Sequence, residues 1–207
     1  MVDDLVRQGK ILCVGFSDAP AWWIAQANTL AELRGWTQFI GLQIEYSLIE
    51  RTVERELIPM AKAFNVGVLA WSPLARGVLS WKYHGEGKAD EGRMSKEGMK
   101  EFLPEEERTA QLSSALKSVS EQVGRSMAQV ALAWLRHQTA PIIPIIGARK
   151  VSQLQDNLAS LDLELSPEQL KSLDEASRIE PEFPQSIYER EMVRSIRYGG
   201  VRDRLLV

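Results

Sequence analysis

The chain has 207 residues, of which 44% are hydrophobic and 26% are charged, and its formal net charge at pH 7 is −3. This balance is typical of a globular domain and not of a protein that binds nucleic acid or an anionic membrane surface. No apolar run approaches the ~20 residues of a membrane-spanning helix. The single cysteine, Cys13, excludes an intramolecular disulfide, so we expect a cytoplasmic protein. Within the run "ILCVGF", we expect Cys13 to be a small buried hydrophobic residue.

The first 71 residues alternate short apolar runs with helical patterns. The pattern predicts strands at 11–16, 39–46 and 66–71, and helices at 20–34 and 53–64. Ser17 or Asp18 is expected to cap the first helix, with Pro20 in its first turn.

A long charged and glycine-containing segment follows at 76–106, and a compact domain does not need so long a loop for packing alone. The alternation of strands and helices continues after it. The pattern then predicts helices near 107–123 and 126–137, a strand at 141–146 and a helix near 150–160. "SPEQ" at 166–169 has the spacing of a capping box, which predicts one further helix start.

Strands that alternate with helices predict an α/β protein built from βα units around a parallel sheet. The four strand segments are continuous apolar runs, so both faces of the sheet are expected to be covered. We find one domain or part of one, because four units are half of the eight that a closed (β/α)8 barrel needs.

Three motifs in this order resemble the aldo-keto reductases. They are "GKILCVGFSD" (9–18), "GLQIEYSLIERTVERELIPMAKAFNVGVLAWSPLARGVLSWKY" (41–83) and "PIIPIIGARKVSQLQDNL" (141–158). The likeness is strongest to the branch with aryl-alcohol-type reductases and potassium-channel β subunits, and the ending "FPQSIYEREMVRSIRYGG" also resembles the family. The resemblance implies a (β/α)8 TIM barrel of which residues 1–207 supply strands five to eight, as a partial domain without its N-terminal half.

The resemblance also implies an oxidoreductase that binds NADP(H) at the carboxyl ends of these strands. The matching positions are Ser17, Asp18, Gln43, Trp71, Ser72, Pro73, Leu74, Ala75, Gly77, Lys82, Arg93, Gly147, Ala148, Arg149, Gln153, Asp156 and Asn157. By this likeness Ser17, Asp18 and Gln43 contact the nicotinamide carboxamide, and the ring stacks on Trp71.

By the same resemblance, the segment from Ser72 to Arg93 matches the family's pyrophosphate side, and the positions from Gly147 onward match its adenosine end. Arg149 and Lys150 offer cationic donors for a 2′-phosphate, which favours NADP(H) over NAD(H). Asp18 departs from the more frequent asparagine, and Arg76 stands where small residues are common.

Taken singly, these residues have simpler interpretations. Ser17 and Asp18 are expected more often to cap a helix, Trp71 to belong to a core, and Arg149 with Lys150 to start a solvated helix. The functional interpretation is favoured because all of them follow strands of one pattern in one order. His84 and His137 are assigned to a loop and to a helix surface.

The family's catalytic tyrosine, lysine, aspartate and histidine have no counterparts here, so we assign no catalytic residue and no metal. Three interpretations stay open. The chain is the C-terminal half of a reductase of aldehydes or ketones and is inactive alone, or it is a non-enzymatic module that binds a nucleotide or a protein. In the third interpretation, two copies pair to close eight strands, because an isolated half exposes its sheet edges.

Overall fold

Four parallel strands form one sheet whose order follows the chain. The computed structural model describes residues 2–80, 106–199 and 201. The strands are β1 (Gly15–Ser17), β2 (Gly41–Glu45), β3 (Gly67–Trp71) and β4 (Ile142–Pro144). Each strand pairs in parallel with the next one along the chain. The predicted α/β class with a parallel sheet is therefore confirmed.

Helices connect and follow these strands. They are α1 (Val2–Arg7), α2 (Ala21–Arg34), α3 (Leu57–Ala63), α4 (Glu106–Val123), α5 (Met127–Arg136), α6 (Val151–Leu158), α7 (Pro167–Ala176), α8 (Gln185–Glu189) and α9 (Glu191–Tyr198), with 3-10 turns at Thr52–Glu54, Ala75–Ser80 and Ala159–Asp162. The predicted capping box of α7 is confirmed, because Ser166 and Gln169 exchange both of its hydrogen bonds. Across the described ranges, no helix has the length and apolar character needed to cross a membrane.

The start of the sheet differs from the prediction in two respects. β1 begins at Gly15 and not at residue 11, and Cys13 lies before it and is exposed. Pro20 occupies the N-cap position of α2 without a side-chain hydrogen bond, so neither Ser17 nor Asp18 caps this helix. Both side chains instead take part in hydrogen bonds at the end of the sheet.

The described helices cover only one face of the sheet. Along β2, Leu42 and Ile44 are buried and belong to the hydrophobic core, whereas Gln43 and Glu45 on the other face are half-buried. β3 repeats this alternation, and Ile143 of β4 is 59% exposed. For the described residues, the prediction that both faces are covered is therefore wrong, because the core lies on the helix side alone.

Helix α5 is the centre of that core. Every residue from Ala128 to Leu135 is buried, and the helix packs against α4 and β4. A capping box between Ser126 and Gln129 starts the helix. Asp156 of α6 accepts hydrogen bonds from the Ser126 hydroxyl (3.0 Å) and the Gln129 amide (2.9 Å), which ties α6 to α5.

A second connection, the Arg51 cluster, joins the end of β2 to α5 and α7 through Tyr46, Arg51, Glu54, Trp134 and Asp174. The Arg51 guanidinium donates two hydrogen bonds to the Glu54 carboxylate, at 2.7 and 2.9 Å, and lies 5.0 Å from the Trp134 ring centre. The Tyr46 hydroxyl donates to Glu54 at 2.7 Å, and the Trp134 indole donates to Asp174 at 3.0 Å. Burial and the Glu54 carboxylate raise the pKa of Tyr46.

Two local contacts position the first two strands of the sheet. A Cβ added at Gly15 would lie 2.7 Å from the carbonyl oxygen of Gly41, so the two strands approach closely only because this residue is glycine. The buried Asn28 of α2 donates to the carbonyl of Phe39 at 3.0 Å and accepts from its N–H at 2.8 Å, which fixes the entry into β2.

Candidate functional site

The carboxyl ends of β1, β2 and β3 place a group of side chains at one edge of the sheet. We call it the strand-end shelf; it consists of Ser17, Asp18, Gln43, Glu45 and Trp71. The strand register pairs Ser17 with Gln43, and Glu45 with Trp71. Because residues two apart in a strand share a face, Gln43 and Glu45 both lie on the face opposite the hydrophobic core.

Hydrogen bonds connect the shelf across three strands. The Trp71 indole N–H donates to Asp18 Oδ1 at 3.0 Å. The Ser17 hydroxyl lies 3.1 Å from Asp18 Oδ2 and 3.4 Å from Gln43 Oε1, and either oxygen can accept its proton. The backbone N–H of Asp18 donates to the carbonyl of Gln43 at 3.1 Å. The structure thus brings together the four residues for which the sequence predicts a nicotinamide contact.

Glu45 belongs to this shelf although the sequence analysis did not select it. Arg76 Nη1 lies 3.8 Å from Glu45 Oε1, and both side chains are about one quarter exposed, at 26% and 29%. Burial raises the pKa of the Glu45 carboxyl, Arg76 opposes the rise, and the negative charges of Glu50 and Asp18 add to it. Its two-residue spacing from Gln43 at a strand end is the signal that would have identified it.

The segment after β3 adopts an unusual backbone. Ser72, Ala75 and Arg76 have positive φ angles of 55°, 46° and 56°, and Gly77 follows at 102°. Left-handed conformations cost energy for residues with a side chain and cluster at functional sites. The Ser72 carbonyl accepts from the Ala75 N–H at 2.8 Å, which closes the turn.

The other predicted residues of this segment have different positions. Pro73 is buried, and Leu74 packs against the hydrophobic core. Their side chains therefore anchor the turn, while the predicted phosphate contact would fall to its backbone. Lys82 and Arg93 lie outside the described residues.

The segment after β4 divides into an exposed turn and a helix that faces the core. Gly147, Ala148 and Arg149 are exposed, and Gln153 Oε1 accepts from the backbone N–H groups of Arg149 (2.9 Å) and Lys150 (3.3 Å). The Gln153 side chain therefore closes the first turn of α6.

Two predicted residues farther along α6 contact the protein interior. Asp156 bonds to the start of α5, as described above, and Asn157 is 7% exposed. The structure does not bring them to the strand-end shelf. Their assignment to an adenosine site stays a prediction.

The chemistry of the shelf fits one end of a nicotinamide nucleotide. Trp71 supplies a flat aromatic side chain, and the hydroxyl, carboxylate and amide groups of Ser17, Asp18 and Gln43 supply donors and acceptors beside it. Flat rings stack on indole, and an amide substituent needs both kinds of hydrogen-bond partner. Within the described part of the chain, no group of three or more His, Cys, Asp or Glu residues could hold a metal ion.

Comparisons with known proteins give one family model and several relatives. The aldo/keto reductase family model matches residues 1–178. The chain is 35% identical over 185 residues to a putative aryl-alcohol dehydrogenase of Saccharomyces cerevisiae, an alignment that covers 87% of the chain and 62% of the relative. It is 34% identical over 191 residues to an aryl-alcohol dehydrogenase [NADP(+)] of Phanerodontia chrysosporium, with 89% and 49% covered.

A third relative is the norsolorinic acid reductase of Emericella nidulans, at 34% identity over 182 residues. That alignment covers 88% of the chain and 45% of the relative. The chain therefore spans about half the length of the curated relatives that it matches.

Proposed function

The chain belongs to the aldo/keto reductase family, and from this membership we propose that its strand-end shelf binds the nicotinamide end of NADP(H). Trp71 offers its ring for stacking, and Ser17, Asp18 and Gln43 hydrogen-bond the carboxamide. The turn from Ser72 to Gly77 holds the pyrophosphate. In this family the bound nucleotide supplies a hydride to a carbonyl carbon.

The observation that carries the proposal is the hydrogen-bonded connection of Trp71 and Ser17 through Asp18. An indole held by an in-plane hydrogen bond is already oriented, so less side-chain motion is lost when a second ring stacks on it. The name of the Phanerodontia chrysosporium relative, an NADP(+) enzyme, supports the choice of nucleotide. The exposed Arg149 and Lys150 after β4 are suited to a 2′-phosphate.

We further propose that β1 to β4 correspond to strands five to eight of a (β/α)8 barrel. The four parallel strands and the uncovered face of the sheet support a partial barrel, because a closed barrel buries that face. The assignment to its second half rests on the motifs that resemble the family. The substrates of the full barrel are aldehydes or ketones, and the 207 residues alone have no turnover because they lack the catalytic tyrosine, lysine, aspartate and histidine. A non-enzymatic module that binds the nucleotide would give the same result, which is binding without turnover.

The direct test is NADPH binding to the 207-residue chain, measured by calorimetry, with aldehyde turnover assayed in parallel. Trp71→Leu removes the stacking surface and is expected to weaken NADPH binding about tenfold. Trp23→Leu is the matched control, because Trp23 lies on α2 with half of its surface exposed, and it should leave the affinity unchanged. Equal affinities of wild type and Trp71→Leu would contradict the assignment of this ring.

A second variant tests the preference for NADP(H). Arg149→Ala should weaken NADPH more than NADH, because only NADPH carries the 2′-phosphate. Lys171→Ala, an exposed cation on α7, serves as the control for a general loss of positive charge. Equal losses for both nucleotides would contradict the 2′-phosphate assignment.

Exposed apolar side chains at β4 and on α6 also support a second candidate, in which two copies of the chain pair. Ile143 and Ile145 at β4 are 59% and 39% exposed, and Leu154 and Leu158 of α6 are 41% and 46% exposed. Apolar surface of this kind at a sheet edge favours association with another half-barrel. Light scattering decides between the two arrangements: a single copy of the chain has a mass of 23.3 kDa, and a pair has twice that mass.

A further inference from the structure

The strand-end shelf carries one negative charge that no cation in the described part of the chain neutralises. Glu45 has Arg76 at 3.8 Å. The Asp18 carboxylate is held by neutral donors, the Trp71 indole N–H at 3.0 Å and the Ser17 hydroxyl at 3.1 Å. Burial is the main cause of the raised pKa of the Glu45 carboxyl, and the negative charge of Asp18 adds to it.

The position of this charge relative to the Trp71 ring is set by the hydrogen bond. An indole N–H points along the plane of the ring, so the Asp18 carboxylate lies at the ring edge and not over its face. A second ring stacked on the indole would therefore lie about 6 Å from the carboxylate, given the usual spacing of stacked rings.

The oxidised nicotinamide ring carries a positive charge, whereas the reduced ring is neutral. We propose that Asp18 makes this site select the oxidised form of the nucleotide over the reduced form. The inference rests on the proposed function and adds a charge preference to it. An asparagine at this position would make the same hydrogen bond to Trp71 through its side-chain oxygen but would attract neither form.

The size of the effect follows from the separation of the two charges. Opposite unit charges about 6 Å apart change the affinity roughly threefold in bulk water, and roughly tenfold when the effective dielectric constant is about half that of water. Salt screens part of this attraction, because the shelf is open to solvent on one side.

The test compares the dissociation constants of NADP+ and NADPH for wild type and for Asp18→Asn by calorimetry. In Asp18→Asn, the preference for NADP+ over NADPH should fall by about threefold to tenfold. Glu175→Gln removes one negative charge from α7, where Glu175 is 69% exposed, and should leave the ratio unchanged.

The outcomes separate this inference from the proposed function. If wild type binds both nucleotides and Asp18→Asn keeps the same ratio, the charge preference is wrong and the nucleotide site stands. If wild type binds neither nucleotide, the proposed function fails and the inference fails with it.

If Asp18→Asn does not fold, wild type alone provides the test with two small probes. The 1-methylnicotinamide cation should then quench Trp71 fluorescence at lower concentration than neutral nicotinamide, by a margin that shrinks as salt is added. Trp71→Phe identifies the contribution of this ring. Equal affinities for the two probes would overturn the inference.

Discussion

Replacing Arg51 by methionine removes the cation from the cluster that joins β2 to α5 and α7. Its side chain is only 11% exposed, and the Glu54 carboxylate that it pairs with is 24% exposed. Without the guanidinium, Glu54 keeps a hydrogen bond from Tyr46 but loses its counter-charge, and Asp174, which is 45% exposed, loses an ion pair at 3.2 Å. Methionine retains most of the apolar stem of arginine, so the loss of stability reflects mainly the missing charge and its hydrogen bonds.

The expected cost is about 3 kcal/mol in the free energy of unfolding. Breaking a buried ion pair by removing one partner costs roughly 3–5 kcal/mol, and the partial exposure of Glu54 places this pair at the lower end. For a chain of this size, such a loss lowers the Tm by roughly 10 °C. The measurement is urea unfolding followed by circular dichroism and tryptophan fluorescence.

Two further variants serve as a control and as a test of the unpaired charge. Lys171→Met breaks an exposed pair with Glu175, 3.8 Å apart, and should cost no more than about 0.5 kcal/mol. The double variant Arg51→Met/Glu54→Gln also removes the less exposed of the two carboxylates that lose this cation, so it should recover at least about 1 kcal/mol of the loss. A loss below about 1 kcal/mol in Arg51→Met, or no recovery in the double variant, would refute this account of the cluster.

Three other changes test the packing around the sheet. Gly15→Ala should destabilise the protein by at least about 2 kcal/mol, because the added Cβ would collide with the neighbouring strand β2. Gly147→Ala is the control and should be nearly neutral, because its Cβ would meet nothing within 4 Å. Equal melting temperatures of the two variants would contradict the close approach of β1 and β2. Asn28→Ala should cost about 1–2 kcal/mol, because the N–H and the carbonyl of Phe39, both partly buried, lose their hydrogen-bond partner. A loss within experimental error in urea unfolding would argue against that role. The pKa of Tyr46 is raised in the folded state, so its contribution to stability is full below about pH 10 and declines as the pH rises further. Above pH 10, the stability of wild type relative to Tyr46→Phe should fall by roughly 1.4 kcal/mol per pH unit. Parallel alkaline unfolding curves of the two proteins would contradict this.

The order of strands and helices can be read from the sequence because it depends on local patterns. Apolar runs predict β2 and β3 to within two residues, and the Ser166 capping box is found where its spacing predicts it. The helix after residue 126 ends within a residue of its prediction. Periodicity and capping involve residues a few positions apart, so these features are present in the sequence itself.

The predicted start of β1 and the predicted burial of Cys13 are wrong, because both depend on which residues pair with the neighbouring strand. An apolar run from residue 11 is consistent with a strand, but only Gly15–Ser17 has a partner in β2, at the edge of the sheet. Aspartate is a favoured residue type at helix N-caps, yet the Asp18 carboxylate accepts a hydrogen bond from Trp71, 53 positions along the chain. No local pattern distinguishes these two roles of one carboxylate.

The local sequence therefore determines which segments of this protein become strands and helices, and which polar and aromatic residues follow the strands. The tertiary structure decides that Asp18 meets Trp71, that Glu45 joins them, and that one face of the sheet stays uncovered by the described helices. The physical reason is strand register: parallel pairing aligns residues far apart in the chain at one edge, and the resulting contacts depend on three strands at once.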